Sequence, residues 1–391
     1  MRWFTLILLT LPAFAQDAPV EVEGKYYLLK SETPREEAEE HGRLLEAAYP
    51  QFKKFFKGKP KGRLEIHLQA KAPEVLYDPE SGVAYAQIGK TAYVTRVALL
   101  RSAARQYHLI VRARNKLPTA AWYAEGLADY LAAHYWDGER LSTGVLPLIS
   151  YEDFAGKAVA EMQEQSFDLT RAVGEPDAMS RPVSWTLVRY LMQGEKDKPH
   201  PKWAAFVKKM DGGVPPAKSF VRHFGKPADM QRALLLWADR RQEPFAPIHS
   251  GWEPIAPDAI RVTSAGLSAC RLKGNVRHLE VTLVPPREKR RWVAGVLLHA
   301  DGTEDFTVAL FDWGGHIRVH RYVRGSRQIL AQGAGPGLDD TGRYQLQAFR
   351  TDKGVFFALG ALSYGPYDLP GQTLGLAVER CTFTFRDLKW K

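Results

Sequence analysis

Two textures divide the chain. Between Val20 and about Arg241 the apolar positions recur mainly at helical spacing, and beyond residue 260 they alternate. Val20 to Lys30 alternates and predicts a first strand. Thr33-Pro34-Arg35-Glu36 then pairs an N-cap with a proline in the first turn, opening a helix to about Phe56 with an apolar stripe of Leu44, Leu45, Ala48, Tyr49 and Phe52. Arg63 to Gln69 alternates again, with His67 on the polar side. Gly82 to Tyr85 and Lys90 to Thr95 suggest two short strands meeting at Gly89-Lys90. Val97 to Trp136 predicts two helices broken at Lys116-Leu117-Pro118, the second running from Trp122 to Trp136. Further helices are expected over Pro182–Leu191, Trp203–Met210, Pro216–Phe224 and Ala228–Arg240, the last two parted by the breaker Gly225-Lys226-Pro227.

Prolines punctuate Gln242 to Pro247 and Gly251 to Pro257, which predicts a linker over 242–260. After it come short alternating runs at His278–Leu283, Trp292–His299, Phe306–Asp312, His316–Arg321, Gln328–Gln332, Arg343–Thr351, Val355–Leu362 and Cys381–Lys391. Many short strands joined by Gly and Asp turns predict an all-β sandwich over 261–391.

Composition changes this picture in three places. With 391 residues and ordinary apolar and charged fractions, the chain can fold two domains with buried cores. Met1-Arg2-Trp3, the apolar run Phe4 to Leu11 and the small-residue site Ala13-Phe14-Ala15 have the form of a cleaved signal peptide over 1–15, so the expected address is secreted or periplasmic. No later run reaches the ~18 apolar residues of a membrane span, so no transmembrane segment is expected in the mature protein. The net charge of +10 gathers in Lys53 to Arg63 and Arg287 to Arg291; no nucleic-acid motif accompanies these runs, and solvated turns explain them. Cys270 and Cys381, the only cysteines, are a disulfide candidate in an oxidising compartment or two separately buried thiols.

The phrase Trp122-Tyr123-Ala124-Glu125-Gly126-Leu127-Ala128-Asp129-Tyr130 resembles the P-x-W-x-x-E-G-L-A-E-Y signature of the gluzincin metallopeptidases, in particular the peptidase MA-like group. The order of elements over Val20–Arg241, a small sheet feeding two helices and then a helical lobe, fits that resemblance. It implies a gluzincin-like peptidase domain over 16–241, with Glu125 at the third zinc-ligand position and an H-E-x-x-H helix before it. In place of that motif the chain has Arg101-Ser102-Ala103-Ala104-Arg105. Arg101 and Arg105 keep the i, i+4 spacing of the two imidazoles, but a guanidinium has no lone pair to give a metal. Ser102 replaces the general base and cannot act as one unaided. The domain is therefore expected to be inactive and free of zinc, with an ion pair between Glu125 and the two arginines in the former metal position. His108 and His134 make only a loose, unmatched set with Glu125. Tyr123, Tyr130 and His108 are candidates to line a surviving cleft; aromatic residues at helical spacing also serve as core.

The ending Leu374 to Leu388 resembles the last strands of concanavalin A-like, laminin-G-like jelly rolls. First and last strands pair in those folds, which would bring Cys270 and Cys381 together. Trp292, Trp313, Tyr344, Tyr364 and Tyr367 are candidates for stacking on sugar rings, and Asp301, Asp305, Asp312, Asp339 and Asp340 could hold a structural calcium. The expected architecture is multidomain: an α+β gluzincin-like domain, with a small sheet and a mostly helical lobe, followed by an all-β jelly-roll sandwich. The expected function is that of a non-catalytic peptidase homologue holding a peptide or a cell-envelope glycan. The alternatives are a metallopeptidase with unorthodox zinc ligands and a glycan hydrolase acting through the sandwich.

Overall fold

The computed structural model describes residues 18–112, 120–149, 151–175, 178–194, 198–286, 291–336, 342–369 and 373–391. The signal peptide over 1–15, the helix break at 116–118, basic residues 287–290, Asp339 and Asp340 lie outside the described residues.

The N-terminal part opens with β1 (Val20–Glu23), β2 (Tyr27–Ser31), α1 (Arg35–Phe56), β3 (Leu64–Gln69) and β4 (Val83–Gln87). They form a sheet of order β1-β2-β3-β4, in which β1 pairs antiparallel with β2 and the rest pair in parallel. A parallel pair needs a crossover, and α1 supplies it between β2 and β3. The single strand expected over Val20–Lys30 is thus a pair: the Gly24 N–H closes a turn on the Tyr27 carbonyl, and the Glu46 carboxylate accepts from the Tyr26 and Tyr27 N–H groups.

Next come α2 (Ala92–Val111) and α3 (Ala121–Ala132). The strand expected at Lys90–Thr95 is instead the start of α2, because Thr91 caps it by accepting the Val94 N–H at 3.2 Å. At its other end α3 stops short of Trp136, and His134–Trp136 forms β5, paired with β6 (Leu141–Thr143). The helical lobe continues through α4 (Phe154–Gln163), α5 (Leu169–Gly174), α6 (Arg181–Gln193), α7 (Trp203–Asp211), α8 (Pro216–Phe224) and α9 (Pro227–Asp239). Most of α3 is buried, as befits a helix surrounded by neighbours. A Cβ on Gly126 would lie 2.4 Å from the Ser184 carbonyl oxygen, so the glycine of the motif is what lets α3 approach α6.

The C-terminal part is all antiparallel β: β7 (Phe245–Pro247), β8 (Trp252–Ala256), β9 (Ala259–Thr263), β10 (Leu267–Leu272), β11 (His278–Val284), β12 (Val293–Ala300), β13 (Phe306–Asp312), β14 (His316–Val323), β15 (Ser326–Ala334), β16 (Tyr344–Thr351), β17 (Gly354–Leu359), β18 (Leu362–Tyr367), β19 (Gly375–Glu379) and β20 (Thr382–Trp390). Two seven-stranded sheets, β15-β14-β13-β12-β19-β10-β7 and β18-β17-β16-β11-β20-β9-β8, enclose a core drawn from both, including Val296, Val319 and Leu376 from one and Leu279, Phe357 and Phe385 from the other. This is a sandwich.

Two expectations are corrected here. The stretch 242–260 is not a linker, because it contributes β7, β8 and the start of β9. Both β7 and β8 are edge strands, where a proline costs no ladder hydrogen bond, so Pro247 and Pro254 mark sheet edges. Nor are the cysteines bonded. The register sets Cys270 opposite Leu376 on β19, whereas Cys381 lies beyond the end of that strand, its carbonyl accepting the N–H of Ser264, six residues before Cys270, and both thiols are free.

The two parts share structure at their junction. The Phe245 N–H donates to the Leu148 carbonyl at 3.0 Å, Ile149 bridges to Phe245 in parallel, and Leu148 and Ile149 belong to the sandwich core. The Tyr151 hydroxyl donates to the Trp252 carbonyl and accepts the Trp252 N–H, and Arg96, buried in the first part, meets Glu253 at 3.1 Å. Glu243 lies buried beside this seam, with one carboxyl oxygen lacking a hydrogen-bond partner. Burial pushes its carboxyl up to about 7; Asp153 adds to the shift, while Lys273 and Arg189 oppose it. An unfolded Glu titrates near 4.5, so between these values the native state holds a proton that the unfolded state has lost. Stability from this group is therefore lost as pH rises through that window, by about 3 kcal/mol in all. Glu243→Gln should be about 3 kcal/mol more stable than the parent at about pH 8 and no different at about pH 4. Urea titrations at the two pH values check this, and a parent and variant that keep the same difference at both would refute it.

Candidate functional site

The helix pair α2 and α3 carries the residues that the sequence singles out. Arg101 and Arg105 stand one turn apart on α2 and face Glu125 on α3. The Arg101 Nη2 pairs with Glu125 Oε2 in a short contact, and the Arg105 Nη2 lies 3.5 Å from Glu125 Oε1. One turn further along α3, Asp129 lies 3.0 Å from the Arg101 Nε. Asp129 also receives both arms of Arg181, from Nε at 2.8 Å and Nη2 at 2.7 Å. Arg181 stands at the start of α6, where the Ser180 hydroxyl caps the helix by accepting the Val183 N–H, and its Nη1 reaches Glu152 at 3.4 Å. The result is a ladder of alternating charge, Arg105–Glu125–Arg101–Asp129–Arg181–Glu152, that ties α2, α3 and α6 together and sums to zero. Burial draws the Arg105 guanidinium down from its usual range. For Arg181 burial acts the same way, but the hydrogen bonds and charge of Asp129 outweigh it and hold the group above its usual range.

A cavity of about 200 Å³ opens beside the ladder, lined by Arg101, Glu125, Trp122, Glu175, Met179 and Arg181 among others. Among the described residues its charged lining is already paired within the protein: Arg101 with Glu125, Arg181 with Asp129, and Glu175 with Arg171. Among the described residues, no three His, Cys, Asp or Glu side chains converge as a metal-binding group.

Several sequence candidates lie elsewhere. Ser102 is fully buried and its Oγ donates to the Tyr85 carbonyl at 2.5 Å, so it fastens α2 to β4 and faces away from Glu125. His108 and Tyr123 do not line this cavity: both bond Asp211 on α7, at 2.9 and 3.2 Å. Tyr130 packs near Phe55, also away from Glu125. His134 is buried against Tyr93, its Nδ1 bonded to the Ala132 carbonyl. Three members of the ladder, Asp129, Arg181 and Glu152, escaped the sequence reading. Asp129 carried a usable signal, one turn after Glu125 on the same helix. Arg181 carried none, being 52 residues from its partner.

In the sandwich, Trp292 is core: it is 6% exposed and packs against Phe311, Tyr344 and Phe383, so it cannot stack on a sugar. Tyr344 is buried with it. Trp313 differs, being 55% exposed at the β13–β14 turn with the Arg291 guanidinium 5.9 Å from its ring. Tyr364, half-buried on the edge strand β18, stacks on Phe357 at 4.9 Å and donates to the Ala334 carbonyl on β15. Tyr367 stacks on the same Phe357. Asp312 spends its carboxylate on its own turn, accepting from the Gly314 and His316 N–H groups, and pairs with Arg318 at 3.2 Å.

The sequence matches no known protein family and no curated protein. Among solved structures it is similar to the carbohydrate-binding module CBM66 of Bacillus subtilis, at 14% identity and TM-score 0.33 over 38% of this chain and 95% of that one. It is also similar to sheep galectin-11, at 11% identity and TM-score 0.26 over 33% of this chain and 99% of that one. A third is a β-glucanase of Bacillus licheniformis, at 6% identity and TM-score 0.26 over 34% and 77% of the two chains. At these values the likenesses do not bear on what this chain binds, and the sandwich assignment rests on the chain's own strand pairing.

Proposed function

We propose that this is a secreted, non-catalytic binding protein, in which a gluzincin-like domain has exchanged its metal centre for a charge ladder and the sandwich holds a glycan. The observation that carries the non-catalytic half is the engagement of both Glu125 oxygens by Arg101 and Arg105. A metallopeptidase would need the imidazoles at those two positions and a free carboxylate between them. What stands there instead is two cations and a neutralised anion, a structural joint between helices. The secreted address belongs to the same proposal and is supported by the pattern of residues 1–15.

The glycan half is supported by Trp313, whose exposed indole offers an apolar ring face with the Arg291 guanidinium beside it. A glycan array of cell-envelope polysaccharides, run on the full chain and on Trp313→Ala, tests it. Binding should weaken by about tenfold or more in the variant, the order expected for an aromatic anchor, with an unchanged melting temperature because the side chain is exposed. Equal binding by the two proteins would refute the role of Trp313. Metal analysis of the same preparation should find no zinc; one zinc per chain would instead support a metallopeptidase with unorthodox ligands.

A further inference from the structure

We propose that a second cavity, beyond the C-terminal end of α2 and lined by Tyr123 and Leu127 of α3, binds a medium-chain carboxylic acid. The cavity measures about 420 Å³ and lies where the C-terminal ends of α1, α2 and α6 meet the start of α7. That volume is within the range of small-molecule sites. Phe55, Leu127, Met192, Trp203 and Val207 make it mainly apolar, and the two full charges among its described lining residues, Lys57 and Arg112, are both positive.

The placement of these cations gives the ligand its polarity. Arg112 is oriented from behind: its Nε donates to Asp211 at 2.8 Å, and Asp211 is fixed by His108 at 2.9 Å and by the Tyr123 hydroxyl at 3.2 Å. A buried carboxylate with three donors holds the guanidinium by one nitrogen and leaves its terminal nitrogens for the cavity. Lys57, which caps α1 in the left-handed region, has no carboxylate partner among the described residues. A Cβ on the next residue, Gly58, would lie 2.4 Å from Val111, so the segments that carry Lys57 and Arg112 meet at the cavity, and both residues line it. The partial negative charges of three helix C-termini oppose an anion here, but they are fractional, and two whole cations stand in front of them. An apolar body within the cavity and a single carboxylate across the rim match this arrangement, whereas an alkylammonium would meet like charge.

Isothermal titration of the full chain with decanoate tests the proposal, with decyltrimethylammonium as the charge-reversed probe. Ala204 lines the cavity on the exposed side of α7, and Ala205 beside it does not. Decanoate should bind at one site, at least tenfold more tightly than decyltrimethylammonium. Ala204→Trp, which fills the cavity, should weaken decanoate binding at least tenfold, while Ala205→Trp stays within twofold of the parent. Equal affinity for the two probes would overturn the assignment of charge. Unchanged decanoate binding by Ala204→Trp, or equal losses in the two variants, would overturn the assignment of the site.

Discussion

Asp129→Ala should destabilise the protein by about 3 kcal/mol, read as a lower urea midpoint with the slope unchanged. The carboxylate is almost wholly buried and sits between two guanidiniums, in a bidentate pair with Arg181 and 3.0 Å from Arg101. Its removal leaves two cations facing each other across a gap. Breaking a buried ion pair costs ~3–5 kcal/mol, and the lower figure applies because Arg101 keeps Glu125 and Arg181 keeps Glu152. Asp129→Leu combined with Arg181→Met should recover most of the loss, since both partners go together and Glu152, which also loses Arg181, is exposed enough to be solvated. A single variant within about 1 kcal/mol of the parent would show that the ladder does not hold α2, α3 and α6 together. The same result would undercut its replacement of a metal as the joint between these helices.

Phe245→Ala should cost about 3–5 kcal/mol, the range for truncating a fully buried aromatic residue. The side chain is fully buried in the sandwich core, and the backbone of the same residue is bonded to Leu148. Because Leu148 and Ile149 reach from the helical part into that core, the damage should spread beyond the sandwich. Parent and variant are each expected to melt in one transition followed alike by helical and sheet signals. Limited proteolysis of the native parent should spare 242–260, since β7, β8 and the start of β9 tie that stretch into the two sheets. Rapid cutting there would restore the reading of that stretch as a linker.

Much of the helical architecture was legible because it is local. The prolines at the start of α6 and α8 and the i, i+4 spacing of Arg101 and Arg105 act within a turn or two, so sequence patterns report them, whereas the cap expected from Thr33 is absent: Pro34 takes that position and the Thr33 hydroxyl bonds Ser31. Local signals also misled. The β-branched residues around Val94 favour a strand, but the Thr91 cap places them in a helix. In 242–260, prolines that separate domains in one context terminate sheet edges in another, and only the neighbouring strands tell the two apart.

What the sequence determined by itself is the chemistry of the two α2 positions: the guanidiniums of Arg101 and Arg105 offer no lone pair to a metal, whatever the surroundings. It also determined that Glu125 would meet a cation, because both arginines lie on one face. The tertiary structure alone decided that Asp129, Arg181 and Glu152 extend this contact into a neutral ladder, that Ser102 and His108 turn to other partners, and that Trp292 is core while Trp313 is surface. It decided as well that Cys270 and Cys381 stand apart. These outcomes depend on which distant segments are adjacent and on which face of a strand a residue occupies. One register step exchanges inside for outside, and no pattern confined to a single segment carries that information.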